Sequence, residues 1–247
     1  MGIISELSNT LFAGDFPYKY ADLSYVDKGY PHTNIDSSLV SALLDLTKCE
    51  FWLEIGSMVG GSAIKTANMI KSKGTNTEIV CVDPFIGDVY MWRSDEKARK
   101  NKVWSFLQIN KCVPTIYKRF IANVAVSGAS DIILPITCTS VVGIALIKAL
   151  KEEKRISNTP EVIYLDSAHE VDETFLELSR CWDMLKKGGV LFGDDWNWPS
   201  VSGDVIKAFA DAPITNQELT DKLTTIMQPT AKIGPILLYN NHWLICK

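Results

Sequence analysis

The stretch Glu161–Trp196, EVIYLDSAHEVDETFLELSRCWDMLKKGGVLFGDDW, predicts a strand, a helix and a second strand. Its apolar run Val162–Leu165 is rich in β-branched and aromatic residues, which is typical of a strand buried on both faces. From Val171 to Leu185 the apolar residues recur every three or four positions, which is the period of a helix. Val190–Phe192 predicts the second strand. The stretch therefore reads as a βαβ unit with two parallel strands.

Acidic residues follow both strands of this unit. Asp166 follows the first strand, and Asp194 and Asp195 follow the second. The carboxyl ends of parallel strands lie at the same edge of a sheet, so we expect the three carboxylates to meet there. Ligands of open α/β sheets bind at that edge. A surface turn or a helix cap is the alternative for Asp194 and Asp195.

Length and composition favour one α/β domain with a sizeable core. The chain has 247 residues, of which 47% are hydrophobic and 22% are charged, and its net charge is −4. The basic residues of 97–102 fit a solvated helix face, so nucleic acid is not expected as a partner. The six cysteines show no CxxC and no metal-ligand spacing, and no run reaches the ~18 apolar residues of a membrane span. We therefore expect a cytoplasmic protein without a membrane partner.

Among the strands predicted before the βαβ unit, the first two are each followed by a candidate ligand-binding segment. The strand Phe51–Leu53 is followed by the glycine turn Glu54–Ser62, EIGSMVGGS, and then by a predicted helix. Glycines allow a sharp turn and let a ligand approach the main chain. The second strand ends at Asp83, where the acid of a nucleotide-binding sheet accepts hydrogen bonds from ribose hydroxyls. A simple turn at Asp83-Pro84 is the alternative.

The remaining elements are predicted from periodicity and turn residues. Asp36 or Ser37 is expected to cap a helix that precedes the first strand. The expected later elements are a third strand at Ile132–Thr139, helices at Ser140–Lys154 and Val201–Ala210, a possible strand at Leu223–Met227, and a hairpin of Ile236–Tyr239 with Trp243–Cys246. The pair Asn240-Asn241 suits a hairpin turn with positive φ.

Two segments are expected to decorate the domain. Residues 1–36 are aromatic-rich without clean periodicity, which indicates an N-terminal arm or cap that packs on the surface or covers the site. Residues 37–247 form the main domain, with an insert at about 84–127. Part of this insert, residues 86–104, is predicted to close the acceptor pocket, and a packing layer or an oligomer contact is the alternative.

The glycine turn, VDPF, LDSAH and GDDW, each at a strand end, together resemble the class I S-adenosylmethionine-dependent methyltransferases. Within that class, the chain is most similar to the metal-dependent small-molecule O-methyltransferases, which include the catechol and caffeoyl-CoA type and the macrocin-type sugar enzymes. The resemblance covers residues 37–247. It implies an α/β fold with a Rossmann-like, doubly wound, mostly parallel seven-stranded sheet and a C-terminal antiparallel hairpin.

The resemblance also implies a cofactor, a metal and a set of site residues. The cofactor is S-adenosyl-L-methionine, and the metal is Mg²⁺ or another divalent cation held by Asp166, Asp194 and Asp195. The cofactor-binding positions are Glu54, Gly56, Ser57, Gly60, Ser62, Asp83, Ser140 and Asp166. Catechol-type enzymes carry asparagine at the position of Asp195, and they carry a lysine base where this chain has His169. We therefore predict that His169 is the catalytic base, and helix capping is its alternative role.

The predicted reaction is methyl transfer to a hydroxyl of a small molecule with neighbouring oxygens, such as a catechol, a vicinal diol or a glycoside. Three clustered carboxylates repel one another, so their convergence favours a bound hard cation that also lowers the pKa of the acceptor hydroxyl. An NAD-dependent oxidoreductase is an alternative, although the turn lacks GxGxxG. A metal-dependent hydroxylase, a non-catalytic cofactor-binding subunit and a homo-oligomer also stay open.

Overall fold

A mixed sheet forms the centre of the computed structural model, which describes residues 2–28, 33–93, 100, 103–167 and 169–247. Within these residues the sheet has eight strands. They are β1 Phe51–Ile55, β2 Glu78–Val82, β3 Ile133–Ile136, β4 Val162–Leu165, β5 Val190–Gly193, β6 Ala231–Ile233, β7 Ile236–Tyr239 and β8 His242–Cys246. The spatial order is β3-β2-β1-β4-β5-β8-β7-β6.

The helices of the described residues cover both faces of the sheet. They are α1 Ile3–Phe12, α2 Ser37–Thr47, α3 Gly61–Lys73, α4 Val89–Trp92, α5 Ile116–Ser127, α6 Ser140–Glu152, α7 Glu173–Met184, α8 Pro199–Phe209 and α9 Gln217–Met227. Short 3₁₀ segments occur at Pro17–Tyr20, Leu23–Tyr25 and Val103–Leu107.

The strand order places a topological switch point between β1 and β4. From β1 the chain builds outward through β2 and β3, then returns to place β4 and β5 on the other side of β1, all in parallel. The strands β8, β7 and β6 then extend the sheet in antiparallel pairs. Ligands of doubly wound sheets bind outside the strand carboxyl ends at such a switch point. The predicted α/β class and doubly wound sheet are confirmed.

Alternate residues of the central strands face two separate hydrophobic clusters. Trp52 on β1 and Phe192 on β5 belong to the cluster under α2, α3, α5 and α9, and their ring centroids lie 5.5 Å apart. Leu53 and Leu191 face the second cluster, under α1, α6, α7 and α8. This burial on both faces explains why the parallel strands read as continuous apolar runs.

Three predictions of secondary structure were wrong. Leu223 and Met227 lie in α9 and not in a strand, because Asn216 caps that helix and the buried residues recur every four positions. The sheet has eight strands instead of seven, because Ala231–Ile233 pairs with β7. Residues 3–12 form α1, whose buried Ile3, Ile4 and Leu7 join the second cluster, although the surrounding segment was expected to be irregular.

Several local predictions were confirmed. Asp36 caps α2 by accepting hydrogen bonds from the backbone N–H groups of Ser38 and Leu39. Asn240, in the turn between β7 and β8, has a φ of 54°. The sequence also predicts a helix that starts at Ser94 or Asp95, and these residues lie outside those that the structure describes.

Gly56 in the turn after β1 cannot be replaced without strain. Its φ is +85°, and a Cβ atom there would lie 2.1 Å from the carbonyl oxygen of Asp166, which follows β4. Its N–H donates to the carbonyl of Val82 at the end of β2. The turn therefore joins the ends of three neighbouring strands, at a point where only glycine fits.

We predict that Gly56→Ala lowers the free energy of unfolding by about 3 kcal/mol, because a left-handed residue and a backbone clash are combined. Gly203→Ala is the matched control, since Gly203 lies in α8 with no atom within 4 Å of its Cβ position. The control should gain about 0.5–1 kcal/mol from higher helix propensity. Urea denaturation measures both values, and equal stability of the two variants would contradict the geometry of the turn.

Candidate active site at the carboxyl edge of the sheet

A cavity of about 830 Å³ opens at the carboxyl edge of the parallel strands, next to the switch point. Its volume lies in the range of small-molecule sites. Most of the predicted site residues line it, namely Gly56, Ser57, Ser62, Asp83, Ser140, Asp166, His169, Asp194 and Asp195. Glu54 and Gly60 are the exceptions among the predicted residues. Both belong to the glycine turn, and Glu54 is fully buried.

Asp83 at the end of β2 holds the glycine turn in place through hydrogen bonds. One of its carboxylate oxygens accepts hydrogen bonds from the N–H groups of Ser57 and Met58 at 2.7 and 2.8 Å. The other accepts from the N–H of Phe85 at 2.5 Å. Burial raises the pKa of Asp83, and these backbone donors oppose the increase. Asp83 therefore shapes the cavity wall besides lining it.

Glu54 at the end of β1 is a buried carboxylate with an unused oxygen. Its Oε1 accepts a hydrogen bond from the hydroxyl of Ser62 at 2.8 Å. Its Oε2 has no hydrogen-bond partner within the described part of the chain. Burial raises the pKa of Glu54 to about 7, although Ser62 opposes the increase. A buried acceptor of this kind is costly to leave unpaired, so it suits a donor group of a ligand.

The three predicted metal acids meet at the other end of the cavity. The hydroxyl of Tyr164 donates to Asp166 at 3.0 Å. Burial raises the pKa of Asp166 well above its usual value, and the negative charges of Asp194 and Asp195 raise it further. All three acids line the cavity, but among the described residues the ligand atoms that lie within 4.8 Å of one another come from Asp166, His169 and Asp195, and Asp194 is outside that group.

Asp194 and Asp195 have different surroundings. Asp194 is buried, and its Oδ1 accepts hydrogen bonds from the side chain of Asn241 at 2.9 Å and from the N–H of Asp195 at 2.8 Å. Nδ1 of His242 lies 3.4 Å from the same oxygen. Asp195 has a left-handed φ of 60°, which directs its carboxylate toward His169. Such strain is common where a side chain must be aimed at a site.

His169 lies between two carboxylates. Its Nε2 is 2.6 Å from Oδ2 of Asp195, and its Nδ1 is 3.7 Å from Oδ2 of Asp88. Burial lowers the pKa of His169, but the hydrogen bond with Asp195, the nearby carboxylate of Asp88 and the charges of Asp195 and Asp166 outweigh burial and raise it to about 10. The imidazole therefore holds its second proton at neutral pH. Asp166, His169 and Asp195 each offer a ligand atom, and these atoms lie within 4.8 Å of one another.

Aromatic residues wall the cavity beside His169. The ring of Trp198 lies 4.9 Å from the imidazole and 6.1 Å from the ring of Tyr90 on α4. Asp88 caps α4 by accepting a hydrogen bond from the N–H of Met91 at 2.7 Å. Trp198 lines the cavity, whereas Trp196 packs against the second hydrophobic cluster.

Sequence reasoning missed the partners of the predicted acids. Asp88, Asn241, His242 and Glu177 all contact a predicted residue or line the cavity. The capping position of Asp88 before α4 was a local signal that could have identified it. Asn241 and His242 carried no such signal, since they come from the distant hairpin.

A comparison with protein families matches residues 53–196, more than half of the 247 residues, to a model described as a methyltransferase domain. The chain belongs to this methyltransferase family. The matched region begins in β1 and ends after β5, so it contains both the glycine turn and the acidic cluster. The predicted resemblance to the class I methyltransferases is confirmed. A comparison with curated proteins found no match.

The comparison with solved structures supports this assignment at the level of the fold through one match. The calicheamicin methyltransferase CalS11 is 17% identical, with a TM-score of 0.51, and the alignment covers 74% of this chain and 73% of that one. The O-methyltransferase TomG from Streptomyces achromogenes, solved in complex with SAM, is 11% identical with a TM-score of 0.44, over 100% and 97% of the two chains. At such identities the likeness to CalS11 supports the fold and no particular substrate. Among the described residues, no helix is long and apolar enough to cross a membrane.

We predict that Glu54→Gln stabilises the ligand-free protein above pH 7 by an amount on the order of 1–3 kcal/mol. The folded wild type holds a proton on Glu54 that the unfolded chain releases at lower pH, so its stability falls as pH rises toward 7. Glutamine has no such dependence and can still accept the hydrogen bond of Ser62. Urea denaturation at pH 5 and pH 8 measures the difference, with the exposed Glu218→Gln as control. A wild type more stable than Glu54→Gln at pH 8 would argue against a buried, strained carboxylate.

Proposed function

We propose that the protein is an S-adenosylmethionine-dependent, divalent-metal-assisted O-methyltransferase for a small molecule with neighbouring oxygens. The observation that carries this proposal is the set of residues that line the cavity at the carboxyl edge of the sheet. Its one end is the glycine turn with Asp83, and its other end is the cluster of Asp166, Asp195 and His169. A donor and an acceptor that occupy the two ends would be held next to each other.

The glycine turn supports the cofactor part of the proposal. Backbone at Gly56 and Ser57 lines the cavity without bulky side chains, so a ligand can approach the main chain closely. Acidic residues on the same walls suit the positive sulfonium and ammonium groups of S-adenosylmethionine. The buried Oε2 of Glu54 lies behind this turn as a further acceptor. Asp83 has one oxygen with a single backbone donor, which leaves room for a ribose hydroxyl.

Methyl transfer mainly requires alignment of the donor and the acceptor. The bond from the sulfonium sulfur to the methyl carbon breaks while the bond to the acceptor oxygen forms, and the hydroxyl proton leaves. Holding both reactants in one line contributes a large part of such a rate enhancement. Tyr90, Met91 and Trp198 supply an aromatic and apolar wall that would orient a planar or ring-shaped acceptor and exclude water.

The residues at the acidic end fit a divalent cation. Asp166 and Asp195 offer carboxylate oxygens, and Asp194, next to Asp195 in the chain, adds negative charge. His169 lies beside these oxygens and is left to act as the base. Burial and the negative charges of Asp194 and Asp195 raise the pKa of Asp166, and the charge of His169 only partly opposes them, so a further cation would be stabilised here. When bound there, a hard cation such as Mg²⁺ would supply Lewis-acid activation of the acceptor hydroxyl.

His169 is proposed to accept the hydroxyl proton, with one condition. Asp195 and Asp88 keep the imidazole protonated at neutral pH, so it serves as a base only when the charge of Asp195 is neutralised. Its place beside Trp198 and against Asp195 puts its Nε2 at the acceptor end of the cavity. The contact with Asp88 would remain as the partner of the opposite ring nitrogen, which fixes the ring orientation.

The first test of this function is cofactor binding. Calorimetry should show binding of S-adenosylhomocysteine, and Asp83→Ala should weaken it by about 1.5–3 kcal/mol, the scale of a hydrogen bond to a charged group. A panel of catechols, vicinal diols and glycosides, assayed for methyl transfer by mass spectrometry, then identifies the acceptor class. Tight NAD binding without binding of S-adenosylhomocysteine would instead favour an oxidoreductase.

The second test concerns the cation. We expect Mn²⁺ to bind in a ligand-free titration followed by electron paramagnetic resonance, and Asp166→Asn or Asp195→Asn to weaken it at least ~10-fold, as loss of a charged ligand does. Asp172→Asn is the control, because it removes an exposed ion pair with Lys207. Methyl transfer should stop with EDTA and return with Mg²⁺ or Mn²⁺. Activity that persists in EDTA would refute the metal-assisted mechanism and leave the methyltransferase proposal standing.

A further inference from the structure

A buried network of hydrogen bonds joins the N-terminal segment to α5. Arg119 donates to Oδ1 of Asp27 from Nε at 2.9 Å and from Nη2 at 2.6 Å. Asn123, one helical turn later, donates to Oδ2 of Asp27 at 2.8 Å and accepts from the Asp27 N–H at 3.0 Å. Arg119 and Asn123 are only 6% and 3% exposed. Both oxygens of the Asp27 carboxylate are therefore paired inside the protein.

The same two side chains contact other parts of the chain. The amide of Asn123 also donates to the carbonyl of Val59 at 2.9 Å, and Val59 lies in the glycine turn and lines the cavity. Nη1 of Arg119 donates to the carbonyl of Phe106 at 2.6 Å, within the insert that follows Asp83. The partly buried ion pair of Asp27 and Arg119, together with Asn123, thus connects the N-terminal segment, the glycine turn and the insert.

The N-terminal segment has further attachments on both sides of Asp27. The hydroxyl of Tyr18 donates to the carbonyl of Ile133 on β3 at 2.8 Å. Nζ of Lys118 lies 5.0 Å from the ring centre of Tyr25. Farther along the chain, Thr33 and Asn34 form part of the cavity wall. Described residues on both sides of positions 29–32 therefore contact the core of the domain or line the cavity.

We propose that the hydrogen-bonded group of Asp27, Arg119 and Asn123, called the latch below, positions the N-terminal segment and the glycine turn, and that cofactor binding depends on it. The latch holds residues 16–27 against α5, and its Asn123 binds the carbonyl of Val59 in the glycine turn. Asp27, Arg119 and Asn123 are therefore positioning residues that do not touch the ligand. The inference rests on the proposed function, because it takes S-adenosylmethionine as the ligand of the glycine turn. A carboxylate with one oxygen paired to two guanidinium N–H groups and the other to an amide has its geometry fixed in a way that scattered surface contacts do not.

The latch implies reciprocal coupling between its closure and ligand binding. If the closed latch holds the turn in its binding geometry, a ligand at the turn must stabilise the closed latch to the same degree. Simple packing of an N-terminal arm predicts no such coupling. Residues 16–27 would then exchange amide hydrogens at the same rate with and without ligand.

Asp27→Asn tests the latch with little change in shape. The substitution removes the charge opposite Arg119 and turns an amide NH₂ toward the NH₂ of Asn123, so we expect the Kd of S-adenosylhomocysteine to rise ~10-fold or more. Hydrogen exchange should accelerate at residues 16–27 and also at residues 57–60. Asp45→Asn is the matched control, since it breaks an ion pair of 2.8 Å with Lys73 near the surface. The control should leave both measurements unchanged, and Asp27→Glu should recover part of the affinity.

Each outcome bears on the latch separately from the proposed function. Wild-type affinity in Asp27→Asn, together with accelerated exchange at residues 16–27, would overturn the latch. If the wild type does not bind S-adenosylhomocysteine, the proposed function fails, and the latch is then judged by exchange at residues 57–60 in the ligand-free variant. Should Asp27→Asn not fold, exchange in the wild type decides, because ligand must slow residues 16–27 if the latch is correct.

Discussion

The carboxylates at the ends of β4 and β5 repel one another, and the surrounding side chains supply hydrogen-bond donors that reduce this repulsion. Asp166, Asp194 and Asp195 converge because their strands are parallel neighbours, and burial strengthens their repulsion. Donors from three directions oppose it. Tyr164 binds Asp166, Asn241 binds Asp194 and the imidazole of His169 binds Asp195. These contacts hold the acids in place without removing the excess negative charge, which is the condition for a site that takes a cation.

The position of these acids could be predicted from the sequence, whereas their partners could not. An apolar run that ends in an acidic residue predicts a strand buried on both faces, with the acid at its carboxyl end. In a parallel sheet that end lies at the ligand-binding edge, so the local sequence was sufficient to predict the positions of Asp83 and Asp166. Asn241 and His242 reach Asp194 because β8 pairs with β5, a contact between residues about fifty positions apart. No local pattern contains that pairing, and the same holds for Asp27 and Arg119.

The errors in secondary structure have a common physical origin. Leu223–Met227 contains apolar and β-branched residues that suit a strand, but helix capping at Asn216 and burial of every fourth residue against α2 outweigh that preference. In the N-terminal segment, α1 forms because Ile3, Ile4 and Leu7 cover the sheet, and Glu78 on β2 accepts a hydrogen bond from the N–H of Ile4 at 2.9 Å. Tertiary contacts decided both cases.

Both ends of the cavity contain an electrostatically unfavourable arrangement, and the arrangements differ. At the glycine turn the cost is a buried oxygen of Glu54 without a donor, and at the acidic end it is like charge at close range. A protein selected only for stability would replace either group by a neutral one, since unpaired buried charge is destabilising. Both lie on the walls of one cavity or directly beneath them. Under the proposed function, binding of a sulfonium cofactor at one end and a divalent cation at the other would relieve these unfavourable interactions, and the conformation that Gly56 alone allows would keep the turn in place for both.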